Sequence, residues 1–224
     1  MVIDVLRAST TIATALAHGA AAVRPVAGIE EARGLAAVLG AGTLLGGERG
    51  GVRIPGFDLG NSPLEYTPDR VAGKTIVITT TNGTAALHAC REAREILVGA
   101  LVNRTAVADE VRRLAGDSVP VHLVCAGTDG EITAEDVLAA GAILDAAAAG
   151  SVEALDESAR EAVAFFRRVA SAVDVQSGLV AEFRRSPGGS NLVDLGMEAD
   201  LPVAAAIDSL AVVPRLDRAS GRLI

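Results

Sequence analysis

The 224-residue chain has no tryptophan, one tyrosine and four phenylalanines, so aromatic residues make up only 2% of it. Proteins that hold bases or large flat cofactors commonly stack them on aromatic side chains, and this scarcity argues against both. Positive charge is also short. Lys and Arg together number 20 against 28 Asp and Glu, a formal net charge of -8 at pH 7. Neutralising a phosphate backbone needs the opposite balance, which argues against a nucleic-acid partner. Cys90 and Cys125 are the only cysteines. They form neither a disulfide framework nor a paired metal-binding spacing, and a reduced, cytoplasmic protein is the simplest expectation. No uninterrupted apolar run approaches the roughly 18 residues of a membrane span. Asp4 and Arg7 come too early for a signal peptide, so no membrane association is expected.

What is present is aliphatic: half the residues are hydrophobic. That composition supplies the core of one large domain over 1–224, with a minor joint near residue 150, where the alanine run before Gly150 and Ser151 ends. Short apolar runs predict strands at 2–6, 22–26, 43–46, 75–80, 95–98, 120–125 and 210–213. Ala-rich periodic stretches predict helices at 10–18, 29–39, 83–92, 104–115, 134–149, 157–173, 175–185 and 202–208. The alternation predicts an α/β fold with three layers, α/β/α, around a mostly parallel, mixed sheet. Right-handed crossovers then gather the strand-to-helix turns at one edge, where open α/β sheets bind their ligands. Alanines and leucines in 134–173 offer a homodimer face or fill an ordinary core.

Four clusters fall at such turns. In Asp4-Val5-Leu6-Arg7-Ala8-Ser9-Thr10 an acid follows an apolar strand, and a buried carboxylate is costly unless paired or metal-bound. The bland reading is an Asp4–Arg7 ion pair with Ser9 or Thr10 capping the helix. The stretch from Gly46 to Pro68 is long for an idle loop, with six Gly and three Pro. Within it Glu48 is a candidate metal ligand, Arg49 a candidate anion clamp, and Gly50 lets backbone approach a ligand. Asp58, Asn61 and Ser62 are candidates for shaping the same pocket. The bland reading is a glycine-rich surface turn. In Thr79-Thr80-Thr81-Asn82-Gly83-Thr84, hydroxyls and free N–H groups at a helix start suit phosphate, with an Asn cap as the plainer alternative. The fourth cluster runs from Cys125 and Gly127 through Asp129 to Thr133, Glu135 and Asp136. Its two adjacent carboxylates either hold a hard cation or merely favour the positive end of a helix that Thr133 caps.

Familiar catalytic signatures fail on spacing. Gly73-Lys74-Thr75 ends like a Walker A loop, but Pro68 stands where its first glycine belongs, and the motif precedes a strand. Leu6 stands where a haloacid-dehalogenase phosphatase has its second Asp, and Glu131 where a cysteine phosphatase has its Arg. Cys125 therefore reads as a small core residue, and His88 and His122 as packed within a helix and a strand.

Taken together, VIDVLRAST, GERGG, GFDLGNSPLEY, TTTNGTAAL, CAGTDGEITAEDVLAAG and the carboxyl-terminal SPGGSNLVDLGMEADLPVAAAIDSLAVVP resemble the 2-phosphosulfolactate phosphatase family, the coenzyme M biosynthesis protein B type. The resemblance runs in order along nearly the whole chain. It implies a three-layer α/β/α fold and a Mg²⁺-dependent phosphomonoesterase acting on (R)-2-phospho-3-sulfolactate. It also implies a segment preceding the first motif strand, which here starts at Val2. With the four clusters, it assigns catalysis to Asp4, Arg7 and Glu48, and Mg²⁺ to Asp4, Glu48, Glu135 and Asp136. It leaves Arg49, Gly50, Asp58, Asn61, Ser62, Thr80, Thr81, Asn82, Gly83 and Gly127 to bind a small anionic phosphorylated substrate. A phosphatase for another small phosphorylated hydroxy acid, and a non-catalytic sensor of phosphometabolites, are the competing expectations.

Overall fold

Residues 1–128, 130–150, 152–171 and 173–224 are described by a computed structural model; Asp129 of the fourth cluster and Ser151 of the expected joint lie outside them. In chain order the elements are β1 (Val2–Ile3), α1 (Ala8–Ala17), β2 (Ala22–Pro25), α2 (Ile29–Leu39), β3 (Thr43–Arg49), β4 (Val52–Arg53), α3 (Pro68–Val71), β5 (Thr75–Thr79), α4 (Gly83–Ala89), β6 (Val98–Gly99), α5 (Arg104–Gly116), β7 (Val124–Cys125), α6 (Ala134–Ala148), α7 (Glu157–Ala170), α8 (Val175–Arg185), α9 (Pro187–Asp194), α10 (Asp200–Ala204), β8 (Leu216–Asp217) and β9 (Arg222–Leu223).

The strands form a parallel trio, β6-β1-β7, and a mixed sheet, β4-β3-β5-β2-β9-β8, in which β3, β5 and β2 run parallel. The two are stitched together at the carboxyl-terminal segment. Val98 N–H donates to the Pro214 carbonyl at 2.9 Å and Leu216 N–H to the Ile96 carbonyl at 2.9 Å.

Side-chain alternation along the strands sets the layers. Ile3 packs with Val107 of α5 and Leu138 and Ile143 of α6, while its neighbour Val2 packs with Ile12 of α1 and Leu87 of α4. In β5, Ile76 and Ile78 join that second group, whereas Val77 meets Ala32 of α2. Helices thus cover both faces of the strands, giving the three-layer, mostly parallel α/β arrangement. Leu138, Ala139, Ala142 and Ile143 of α6 are buried in the first of these groups. No helix among the described residues is long and apolar enough to cross a membrane.

Several expectations need correction. Residues 210–213 form no strand; their polar groups serve other partners, with Leu210 N–H donating to the Val102 carbonyl at 2.8 Å and Asn103 Nδ2 donating to the Val212 carbonyl at 2.9 Å. The terminal strands are β8 and β9 instead. The helix expected at 202–208 is α10, and the chain turns back at Asp208, whose φ is +56°. Helix α9 was hidden by its own Pro-Gly-Gly start: Pro187 occupies the first turn, where its missing N–H costs nothing, and Ser186 Oγ accepts from Gly189 N–H at 3.2 Å. His88 and His122 are exposed rather than packed. Cys125 lies partly buried against the first core group, and burial pushes its thiol up to about 12.

Candidate active site

Asp4, Glu48, Thr80 and Gly127 each lie at or just beyond the carboxyl end of a parallel strand, β1, β3, β5 and β7 respectively. The Asp4 side chain is 7% exposed. Its N–H donates to Ser9 Oγ at 2.9 Å and its Oδ1 accepts from Ala8 N–H at 3.3 Å. Its Oδ2 lies so close to Gly83 that a Cβ there would come within 2.4 Å of it, so only glycine lets α4 start at this point. Glu48 is held by backbone: Oε1 accepts from Thr81 N–H at 2.8 Å and Oε2 from Gly51 N–H at 2.7 Å. Asp136 joins two strand ends, accepting from Val5 N–H at 2.8 Å through Oδ1 and from Gly127 N–H at 3.0 Å through Oδ2. Glu135 is equally buried, and its Oε2 has no hydrogen-bond partner. Thr133 Oγ1 makes no cap bond and is likewise unpartnered.

These carboxylates disturb one another. Burial, followed by the charges of Glu48 and Glu135, pushes Asp4 up to about 7, against the opposing pull of the Ala8 N–H and Arg7. Burial, then Asp4 and Glu135, also raises Asp136 well above the usual carboxylate range. Desolvation and like charges both disfavour ionisation, and here they act together.

A cavity of about 300 Å³ opens among Asp4, Glu48, Arg7, Asn61, Thr81 and Asn82. Gly50, Gly51, Thr128 and, from α9, Gly188 and Asn191 also line it. Asn61 is 5% exposed, and its Oδ1 is unpartnered. Arg7, expected as a catalytic anion clamp with an Asp4 ion pair as the plainer alternative, is neutralised elsewhere. Its Nη1 donates to Asp200 Oδ2 at 2.8 Å and its Nη2 to the Gly51 carbonyl at 2.6 Å. Ser62 Oγ donates to the other oxygen of Asp200 at 2.5 Å. This buried brace ties the β1–α1 turn to α10 and to the β3–β4 hairpin.

Not every expected residue meets in this cavity. Arg49 follows Glu48 along β3 and therefore points to the other side, donating to the Glu48 carbonyl at 2.6 Å and to Thr79 Oγ1 at 3.0 Å. Thr80 accepts from Thr84 N–H at 3.1 Å through its hydroxyl and faces the same way as Arg49. Asp58 is exposed and accepts from Leu45 N–H at 2.8 Å, which fixes the loop after β4. Gly127 (φ +68°) stands where a Cβ would come within 2.2 Å of the Glu131 carbonyl oxygen. Asp200, Gly188 and Asn191 are the residues that reading the sequence passed over. Their signal was present in SPGGSN and in an acid directly preceding the apolar Leu201.

The donors suit a hard cation. They are oxygens only, with Glu135 Oε2 and Asn61 Oδ1 buried and unpartnered beside an uncompensated Asp4 charge. Among the described residues no three His, Cys, Asp or Glu side chains already converge on one point. A magnesium ion does not require that, since it keeps several waters and takes one or two carboxylates. Asp4 and Glu48 line the cavity, although both Glu48 oxygens also accept N–H bonds, and Glu135 Oε2 is unpartnered; Asp136 lies outside the lining with both oxygens held by N–H groups, so Asp4, Glu48 and Glu135 are the better-suited ligands.

Acidic oxygens and backbone N–H groups gathered at the carboxyl ends of parallel strands make a site for a small polar ligand, where open α/β sheets bind theirs. The chain matches the family described as 2-phosphosulpholactate phosphatase over residues 1–219 and belongs to that phosphatase family. Among similar proteins, the probable 2-phosphosulfolactate phosphatase of Carboxydothermus hydrogenoformans is 42% identical over 224 residues, covering 100% of this chain and 88% of that protein. That of Synechococcus sp. CC9605 is 46% identical over 220 residues, covering 96% and 87%. That of Deinococcus radiodurans is 41% identical over 218 residues, covering 96% and 86%.

Proposed function

We propose that the chain is a Mg²⁺-dependent phosphoric monoester hydrolase of the cytoplasm that converts (R)-2-phospho-3-sulfolactate to 3-sulfolactate and phosphate, a step in making coenzyme M. The observation that carries this reading is the charge of the cavity. Among the described residues its only cationic lining side chain is Arg7, already paired with Asp200, while Asp4 and Glu48 add negative charge. A substrate bearing phosphate, carboxylate and sulfonate cannot enter such a cavity without a compensating cation. The names of the relatives supply the substrate.

Asp4, Glu48 and Glu135 would hold the ion, with Asn61 Oδ1 as a neutral oxygen ligand. When bound, Mg²⁺ neutralises phosphoryl oxygens and lowers the barrier to attack at phosphorus. The chain's own groups do the rest. Thr81, Asn82 and Asn191 offer hydroxyl and carboxamide donors to the substrate's oxygens. Gly83 and Gly188 keep the Asp4 and Glu135 oxygens uncovered. Asp136 and the Arg7–Asp200 brace fix the backbone that carries Asp4. Asp4 Oδ2, which accepts no hydrogen bond among the described residues, would either attack phosphorus or take the proton of an attacking water.

Two experiments test this. Phosphate release should be lost in EDTA and restored by Mg²⁺ alone; release that persists after exhaustive chelation contradicts the cation requirement. With a substrate chiral at phosphorus, inversion means direct attack by water, and retention means an aspartyl-phosphate.

A further inference from the structure

We propose that a second cavity, on the reverse side of the Thr80–Thr81 segment, binds a tetrahedral oxyanion. Strand alternation creates it. Glu48 and Arg49 are consecutive in β3, so one faces the acidic cavity and the other an opening of about 420 Å³ lined by Arg49, Thr80, Thr81, His88 and alanines. None of its lining residues is acidic.

Among the described residues Arg49 has no carboxylate partner, but it is not loose. One guanidinium nitrogen is spent on the Glu48 carbonyl and the other on Thr79 Oγ1, and that hydroxyl in turn donates to the Ala27 carbonyl at 3.2 Å. The planar group is thereby fixed with N–H donors left over, a geometry that matches a phosphate or sulfonate better than a free side chain does. His88 lines the same opening. Its Nε2 lies 3.1 Å from Arg91 Nη1. Arginine can only donate, so Nε2 accepts and Nδ1 carries the proton. Thr81 lines both cavities, and its N–H and hydroxyl both contact Glu48, at 2.8 and 3.4 Å. An anion held by Arg49 therefore adjoins a residue that positions Glu48.

The occupant is either phosphate released by the reaction or a second anionic group of the substrate. Titrating inorganic phosphate calorimetrically into the full chain in EDTA tests the site without turnover, and so stands apart from the phosphatase reading. Without a divalent cation the acidic cavity repels phosphate, so wild type and Asp4→Asn are expected to bind it equally. Arg49→Met is expected to bind about tenfold more weakly or worse, as losing a charge-assisted hydrogen bond implies. Binding unchanged in Arg49→Met, or lost in Asp4→Asn, overturns the proposal. If Arg49→Met fails to fold, the exposed His88→Ala takes its place, and unchanged binding there is equally fatal. In steady-state kinetics of Arg49→Met, a KM raised only for the sulfonated substrate identifies the substrate's own sulfonate as occupant. Lost inhibition by phosphate at unchanged KM identifies the product.

Discussion

Replacing Asp4 by asparagine is expected to make the protein more stable and inactive at once. In the folded chain Asp4 titrates near 7 instead of 3.8, because burial and the Glu48 and Glu135 charges penalise its ionised form. A group that holds its proton more tightly when folded helps folding fully only below about pH 4. That help is lost as pH rises, and above 7 the folded chain carries the whole penalty, on the order of 4 kcal/mol. Asparagine removes the charge and keeps the carbonyl that accepts from Ala8 N–H. Its new Nδ2 hydrogens sit beside Gly83 without an acceptor, which costs about 1–3 kcal/mol. The net expectation at pH 8 in EDTA is a gain of about 1–3 kcal/mol, shrinking toward pH 4. Urea unfolding of wild type and Asp4→Asn across that range measures it, beside phosphate release at saturating Mg²⁺. A variant less stable than wild type at pH 8, or one with near-normal turnover, refutes the reasoning.

Other perturbations separate the parts of the site. If Asp4, Glu48 and Glu135 hold a cation, Mg²⁺ at 100 times its dissociation constant should stabilise wild type by about 2.7 kcal/mol in thermal or urea unfolding, and Asp4→Asn much less. Arg7→Met strands the buried Asp200 charge and should cost about 3–5 kcal/mol in urea unfolding, whereas an Arg7 that acted only on substrate would leave stability unchanged. Gly83→Ala drives a methyl to within 2.5 Å of Ala8 Cβ and 2.4 Å of Asp4 Oδ2. It should lower activity sharply and cost about 1–3 kcal/mol, and a variant with normal kinetics would show that Asp4 need not stay where it is.

The layers and most elements were legible because they follow from local pattern. Helices α2 and α8 fall at their expected boundaries, and the motifs at 4, 48, 80 and 127 fall at strand ends as the α/β pattern requires. Sequence does not show which partner satisfies a buried charge. Asp4 and Arg7, three residues apart, left a local ion pair open as the plainer reading, yet Arg7 reaches Asp200, 193 residues away, because the carboxyl-terminal segment folds back over β1. Arg49 read as part of the Glu48 site, but strand alternation sends it behind the sheet edge. Helix α9 was invisible because its Pro-Gly-Gly start breaks helices in isolation. In the fold that start is required: a Cβ at Gly189 would come within 1.8 Å of the Phe183 carbonyl oxygen.

The most direct test of the central claim is phosphate release from 2-phosphosulfolactate, 2-phospholactate and 3-phosphoglycerate, each with Mg²⁺ and with EDTA. The account predicts Mg²⁺-dependent release that strongly favours the sulfonated substrate. Equal or greater release from a substrate without a sulfonate, or release indifferent to EDTA, contradicts it.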